Sequence, residues 1–97
     1  MGAVEIEQVY EQIREMAKQH EAGKVVLFGS RARGNNGPRS DIDLAVYGCR
    51  DFDKLYDCLQ EDLWSLLKLD IINMDVRISE ELKAEIERDG VVLYEKI

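Results

Sequence analysis

Two short apolar runs, separated by a loop rich in glycine and arginine, constrain the fold of this chain more than any other feature of its sequence. The run Lys24–Phe28 is aliphatic and β-branched, which is typical of a buried strand, and it ends directly at the loop of residues 29–40. In residues 41–47 three aliphatic side chains alternate with polar or small ones, so that Asp41 and Asp43 share one face of an extended chain. The pattern predicts two strands joined by a loop, with two carboxylates at the start of the second strand.

The rest of the chain alternates predicted helices and strands. These elements are a helix that stops at Gly23, a helix capped by Asp51 or Asp53, a strand over residues 69–75, a helix from Ser79 to Gly90 and an extended tail over residues 91–94. The apolar stripe of the second helix consists of Leu55, Leu59, Leu63, Leu66 and Leu67. We therefore expect residues 1–97 to form a single domain of the α/β (α+β) class, in which helices flank a small mixed β-sheet of three to four strands.

The composition excludes several classes of protein. Thirteen basic and twenty acidic residues give a net charge of -7, which is the opposite of the basic surface that a general nucleic-acid-binding protein needs. No uncharged run approaches the roughly 20 residues of a membrane span. The two cysteines, Cys49 and Cys58, have no second pair and no nearby histidine, so free thiols are expected rather than a disulfide or a zinc site. We expect a cytoplasmic protein that binds neither nucleic acid directly nor a membrane.

The loop of residues 29–40 has the composition of an anion-binding site. It holds three arginines and no acid, whereas the rest of the chain holds ten basic and twenty acidic residues. Gly29 has no side chain to keep an anion away from the backbone, and Ser30 adds a hydroxyl donor where a short helix would present its first N–H groups. The pattern predicts a phosphate-binding turn, and the alternative is an ordinary glycine turn with solvated arginines.

Three aspartates predict a metal site beside this loop. Asp41 and Asp43 lie two positions apart on one face of a predicted strand, and Asp70 lies on the next strand. Carboxylates so close together repel each other unless a cation lies between them, and Mg²⁺ is the hard cation that binds oxygen ligands together with substrate phosphates. Three carboxylates can hold two Mg²⁺ ions, and this set beside a phosphate-binding turn indicates nucleotidyl transfer. The alternative is a solvated edge strand.

The spacing of these residues resembles a known signature. Gly29 and Ser30, ten further residues and then Asp41-x-Asp43 match the motif of the DNA polymerase beta-type nucleotidyltransferase superfamily, and the string GSRARG…SDIDLAV resembles its smallest branch, the minimal nucleotidyltransferases. The resemblance extends over residues 25–94. It implies the nucleotidyltransferase fold, ATP as the substrate and two Mg²⁺ ions as cofactors.

The resemblance also implies a role for each matching residue. The nucleotide-binding residues would be Gly29, Ser30 and, as weaker candidates, Arg31 and Arg33. The catalytic carboxylates and metal ligands would be Asp41, Asp43 and Asp70, and Asp70 would also help to deprotonate the acceptor hydroxyl. Arg33 could instead pair with a carboxylate and orient the loop, and Arg39 could be only solvated.

Minimal nucleotidyltransferases typically act as antitoxins of a helical HEPN-type toxin, so the resemblance implies AMP transfer to a hydroxyl of such a partner. Tyrosine is the expected acceptor because a phenol deprotonates more readily than serine or threonine. Exposed apolar side chains around Trp64 or residues 91–94 are the expected contact surface. Two alternatives stay open: a non-catalytic binding module that neutralises a partner by covering it, and a small-molecule nucleotidyltransferase that works as a homodimer.

Overall fold

The computed structural model describes residues 5–63 and 65–96, which form four helices and four strands. In chain order these are α1 (Ile6–Gln19), β1 (Lys24–Phe28), α2 (Ser30–Arg33), β2 (Ile42–Tyr47), α3 (Phe52–Asp62), β3 (Leu69–Asn73), α4 (Glu80–Asp89) and β4 (Val91–Glu95). The strands coincide with the apolar and alternating runs of the sequence, because these patterns fit a pleated surface that is buried on at least one face. Within the described ranges no helix combines the length and hydropathy needed to cross a bilayer.

The four strands form one mixed sheet in the order β3-β2-β1-β4. β1 pairs antiparallel with both β2 and β4, whereas β2 and β3 run parallel. A parallel pair needs a crossover between its strands, and α3 supplies it. The arrangement confirms the predicted α+β class with a small mixed sheet, and the predicted extended tail is its fourth strand.

Helices cover both faces of this sheet. α1 and α3 pack on one face, where fully buried side chains such as Ile13 and Leu44 form the larger part of the core. α4 packs on the other face through Ile86, which lies against Phe28 and Ala45 in a smaller cluster. Full burial of an aliphatic side chain contributes about 1.5–3 kcal/mol, so the α1–α3 face provides most of the stability. Because this cluster is small, polar side chains occupy part of the sheet face that α4 covers.

The helix after β2 is shorter than its leucine stripe indicated. α3 ends at Asp62, and Leu66, which was predicted to continue the stripe, is fully exposed. Leu63 already has an extended backbone, with φ −72° and ψ 133°. The chain leaves the helix here because it must reach Leu69, the first residue of β3, in time to pair with β2. Trp64, one of the predicted contact residues, lies outside the described residues.

The third strand also ends earlier than predicted, at Asn73 instead of residue 75. The carboxylate of Asp75 instead accepts hydrogen bonds from the backbone N–H groups of Gly48 and Cys49, at 3.0 and 3.3 Å. These bonds fix the chain reversal at the far end of β2. Cys49 is buried, and like Cys58 it carries a free thiol, as predicted.

Candidate active site

The predicted site residues lie at one end of the sheet, where β1 ends and where β2 and β3 begin. Phe28, the last residue of β1, pairs with Asp43 of β2, and Asp43 pairs in turn with Asp70 of β3. Residues paired directly across strands project to the same face of a sheet. Phe28 points into the cluster around Ile86, so both carboxylates lie on the face that α4 covers. The strand pairing thus brings Asp70 beside Asp43, as the sequence predicted.

Gly29 leaves β1 in a backbone conformation that is essentially restricted to glycine. Its φ of 77° and ψ of −156° fall in a region where other residues are strained. A Cβ atom at this position would also collide with the carboxyl group of Asp43. Gly29 is therefore needed both for its conformation and for the close approach of the turn to Asp43. The sequence predicted a glycine that lets an anion approach, and the structure shows that the nearest anion is the chain's own carboxylate.

The four-residue helix α2 follows this glycine directly. The carbonyl oxygen of Gly29 accepts the N–H groups of Ala32 and Arg33 at 3.2 and 3.1 Å, and Gly34 ends the helix in the left-handed conformation, with φ 82° and ψ 9°. The first N–H groups of a helix have no partner within it. Ser30 is the first helical residue, so its N–H group and hydroxyl stand at the turn that packs on Asp43.

Asp43 is the electrostatic centre of this group. Partial burial raises the pKa of its carboxyl group, and the negative charges of Asp70, Asp41 and Glu85 raise the pKa further, in that order of size. The guanidinium of Arg33 acts in the opposite direction and lowers this pKa. The surroundings of Asp43 therefore disfavour its ionised form, and a cation bound beside the carboxylate would stabilise that form.

The donor set fits a divalent cation in chemical type. Carboxylate oxygens are ligands that Mg²⁺ prefers, and the like charges around Asp43 favour a cation between them. Within residues 5–63 and 65–96, however, no three His, Cys, Asp or Glu side chains are gathered at metal-ligand spacing. Asp41 and Asp70 are exposed, and their repulsion from Asp43 favours conformations that keep the carboxylates apart. The assignment of these three aspartates as metal ligands stays a prediction.

Arg31 fixes the shape of the loop. It donates from Nε to the carbonyl oxygen of Ser40 at 3.0 Å and from Nη2 to that of Pro38 at 3.3 Å. Its positive charge also opposes the rise in the pKa of Tyr10, on α1, that burial causes. The two hydrogen bonds tie the returning loop to α2, and a role of Arg31 in nucleotide binding stays a prediction. Arg39, in the same loop, is exposed.

Of the two roles considered for Arg33, the structure shows the pairing with carboxylates. Its Nη1 lies 3.3 Å from Oε1 of Glu85 and 3.9 Å from Oδ2 of Asp89, both on α4. The sequence gives no sign that these two acids belong to the site, because Glu85 is 52 positions away from Arg33. Two acids four positions apart are common on exposed helix faces, so no local signal distinguishes them. Only the packing of α4 on the sheet brings them to the site.

An open groove on the α1–α3 side of the molecule lies apart from these residues. It is lined mainly by polar and acidic side chains, including Glu11, Glu15 and Asp62, and it contains none of the predicted site residues. This groove is therefore separate from the predicted site residues.

Comparison with known proteins agrees with this geometry. Residues 11–97 match the family of polymerase beta nucleotidyltransferase domains. The chain therefore belongs to this family. A relative from Methanocaldococcus jannaschii, which bears the provisional name protein adenylyltransferase MJ0604, is 41% identical over 59 residues. This match covers 61% of the present chain and 56% of the relative, so the chain spans just over half of that protein's length.

Solved structures share the fold. A structure provisionally described as a minimal nucleotidyltransferase has a TM-score of 0.66 at 25% identity and covers 89% of this chain and 90% of its own. A toxin–antitoxin complex with AMP-PNP has a TM-score of 0.63 at 20% identity, over 90% of this chain and 73% of the other. The tri-AMPylated Shewanella oneidensis HEPN toxin in complex with MNT antitoxin gives 0.59 at 18% identity, over 93% and 72%. These likenesses confirm the predicted nucleotidyltransferase fold.

Proposed function

We propose that this chain transfers AMP from ATP to a hydroxyl group of a partner protein and that it acts as the antitoxin of a HEPN-type toxin. The observation that carries the proposal is the packing of the Gly29 turn directly onto Asp43, with Asp70 paired beside it. A turn that can bind phosphate, in contact with carboxylates that can bind metal, is what nucleotidyl transfer requires. The names of the relatives, a protein adenylyltransferase and HEPN–MNT complexes, support the class of acceptor.

The proposed reaction is a displacement at the α-phosphorus of ATP. The acceptor oxygen attacks this phosphorus, a new P–O bond forms, the bond to the oxygen that bridges to the β-phosphate breaks, and pyrophosphate leaves. Asp70, exposed on the edge strand β3, takes the proton of the acceptor hydroxyl. Gly29 and Ser30 bind the phosphates through backbone N–H groups and the hydroxyl. Asp41, Asp43 and Asp70 are the residues that would hold Mg²⁺, which neutralises phosphate charge when bound.

The acceptor is expected to come from a second protein, because the carboxylates stand at the surface. Asp41 and Asp70 are both exposed, so a side chain of another molecule can reach them. Val91 and Val92 at the start of β4 are 47% and 51% exposed, which supplies apolar area of the kind that anchors interfaces. The net charge of -7 favours association with a basic, RNA-binding partner. Tyrosine is the acceptor we expect within such a partner.

Mass spectrometry of the partner tests the proposal. The chain, a co-purifying HEPN-type partner, ATP and magnesium are incubated together, and each transferred AMP adds about 329 Da to the partner. Asp43→Asn should abolish this gain, whereas Asp57→Asn on the exposed side of α3 is a matched control that removes the same charge elsewhere. A partner that is bound and silenced but never modified would refute the transferase and support the binding module. Modification of small molecules alone, by a dimer of this chain, would support the third alternative.

A further inference from the structure

We infer that Glu85 and Asp89 of α4 are positioning residues for the nucleotide. They hold the guanidinium of Arg33 at the rim of the site formed by Gly29 and Asp43 and leave its remaining N–H donors for the phosphates of the nucleotide. This inference deepens the proposed function and rests on the ATP binding that the proposed function includes. Neither acid belongs to the motif that identifies the site in the sequence, and both act through Arg33.

The geometry of the ion pairs supports this role. Both contacts use the same nitrogen, Nη1, at 3.3 Å from Glu85 and 3.9 Å from Asp89. Arginine has five N–H donors in a rigid planar fork. Within the part of the chain that the structure describes, the ion pairs of Arg33 therefore engage one corner of the guanidinium and leave Nε and Nη2 to donate to an anion. A phosphate oxygen is the preferred partner for such a pair of donors.

α4 is a rigid support for these contacts. Ile86, between the two acids in sequence, is only 2% exposed and anchors the helix on the sheet. Asp89 is itself bound by Arg88, with Nε at 3.2 Å and Nη2 at 3.0 Å from its carboxylate. Glu85 and Asp89 lie four positions apart and so share one helix face. Both acids thus stand on a helix that is anchored in the core, and Asp89 is also held by Arg88, before any nucleotide binds.

Arg33 also lies close to the reacting region. Its backbone N–H donates to the carbonyl oxygen of Gly29 at 3.1 Å, so it belongs to the turn that packs on the Asp43 carboxyl group. An arginine that is already oriented loses less side-chain entropy when a ligand binds than one that is free. Loss of this orientation is expected to weaken ATP binding about three- to tenfold.

Substitution of Glu85 distinguishes positioning from a general effect of charge. Removing a negative charge near a phosphate site should by itself tighten ATP binding, whereas loss of positioning should weaken it. We therefore expect Glu85→Gln to raise the calorimetric Kd for ATP with magnesium, and the KM for ATP in AMP transfer, about three- to tenfold. The kcat at saturating ATP should change by less than about twofold. Glu80→Gln is the matched control, because Glu80 lies on the same helix and pairs with Lys83 at 3.6 Å, away from Arg33.

A double substitution tests the route through Arg33. Arg33→Gln should weaken ATP binding, and the addition of Glu85→Gln to that variant should cost no more, because the ion pair is already lost. An unchanged or tighter Kd in Glu85→Gln, or an equal loss in Glu80→Gln, would overturn the inference. Wild-type chain that binds ATP without modifying its partner would refute the proposed function and leave this inference standing. Failure of the wild type to bind ATP would overturn both.

Discussion

Gly29→Ala is the substitution for which the structure makes the sharpest prediction. The added methyl group faces two separate penalties, since the backbone conformation at φ 77° and ψ −156° strains any residue with a Cβ atom and since that atom would collide with the Asp43 carboxyl. Strain in this region costs about 1–3 kcal/mol. Pushing the Asp43 side chain away from its preferred rotamer adds about 0.5–1.5 kcal/mol.

The two penalties together predict a loss of about 2–4 kcal/mol in the free energy of unfolding. A domain of this size has a total stability of about 5–15 kcal/mol, so the variant should still fold. Its melting temperature should fall by about 8–32 °C, because 1 kcal/mol corresponds to roughly 4–8 °C in a domain of under 100 residues. Thermal unfolding followed by circular dichroism measures this shift, with urea unfolding as the equilibrium check.

Two comparisons separate the penalties. Gly34→Ala has a similar positive φ of 82° but no atom within 4 Å of the new Cβ, so it should show only the conformational cost of about 1–2 kcal/mol. In an Asp43→Ala background the collision is gone, and Gly29→Ala should cost about 0.5–1.5 kcal/mol less than in the wild type. If Gly29→Ala proves no more destabilising than Gly34→Ala and is additive with Asp43→Ala, the close packing of the turn on Asp43 is refuted.

Three further predictions concern the carboxylate and its support. Asp43→Asn should abolish AMP transfer yet stabilise the fold. Because the folded-state pKa of Asp43 is raised, the wild type loses stability as pH rises from the unfolded pKa through the folded pKa, so the stability gained by the variant should grow over that window and vanish below it. Urea unfolding at several pH values measures this gain, and a difference in stability that does not change with pH would contradict the prediction. Ile86→Ala, at a position only 2% exposed, should lower the free energy of unfolding by about 2–5 kcal/mol and also raise the KM for ATP. An effect on stability alone would show that the packing of α4 does not support the site. Ser79→Ala removes the bond that the Ser79 hydroxyl accepts from the N–H of Leu82 at 3.2 Å and should cost about 1 kcal/mol in thermal unfolding; no change would show that α4 does not depend on this cap.

Much of the fold could be predicted because the periodicity of side chains is a local property. The alternation in β2 and the apolar run of β1 identify strands without knowledge of their partners, since a strand repeats every two residues and a helix every 3.6. The ends of α3 and β3 were predicted less well. Leu66 fits the helical period, but the chain leaves the helix at Asp62 to reach β3, and that demand comes from the sheet.

The candidate site likewise combines residues that a short stretch of sequence identifies with contacts between distant parts of the chain. Gly29, Asp41 and Asp43 were identified from the sequence alone, because a glycine after a strand and acids on alternate residues carry chemical meaning at short range. The tertiary structure alone decided that the Asp43 carboxyl lies against Gly29 and that Arg33 meets the acids of α4. These contacts depend on the strand order and on the face to which α4 packs. Both are settled by burial of the whole apolar surface, which no local pattern specifies.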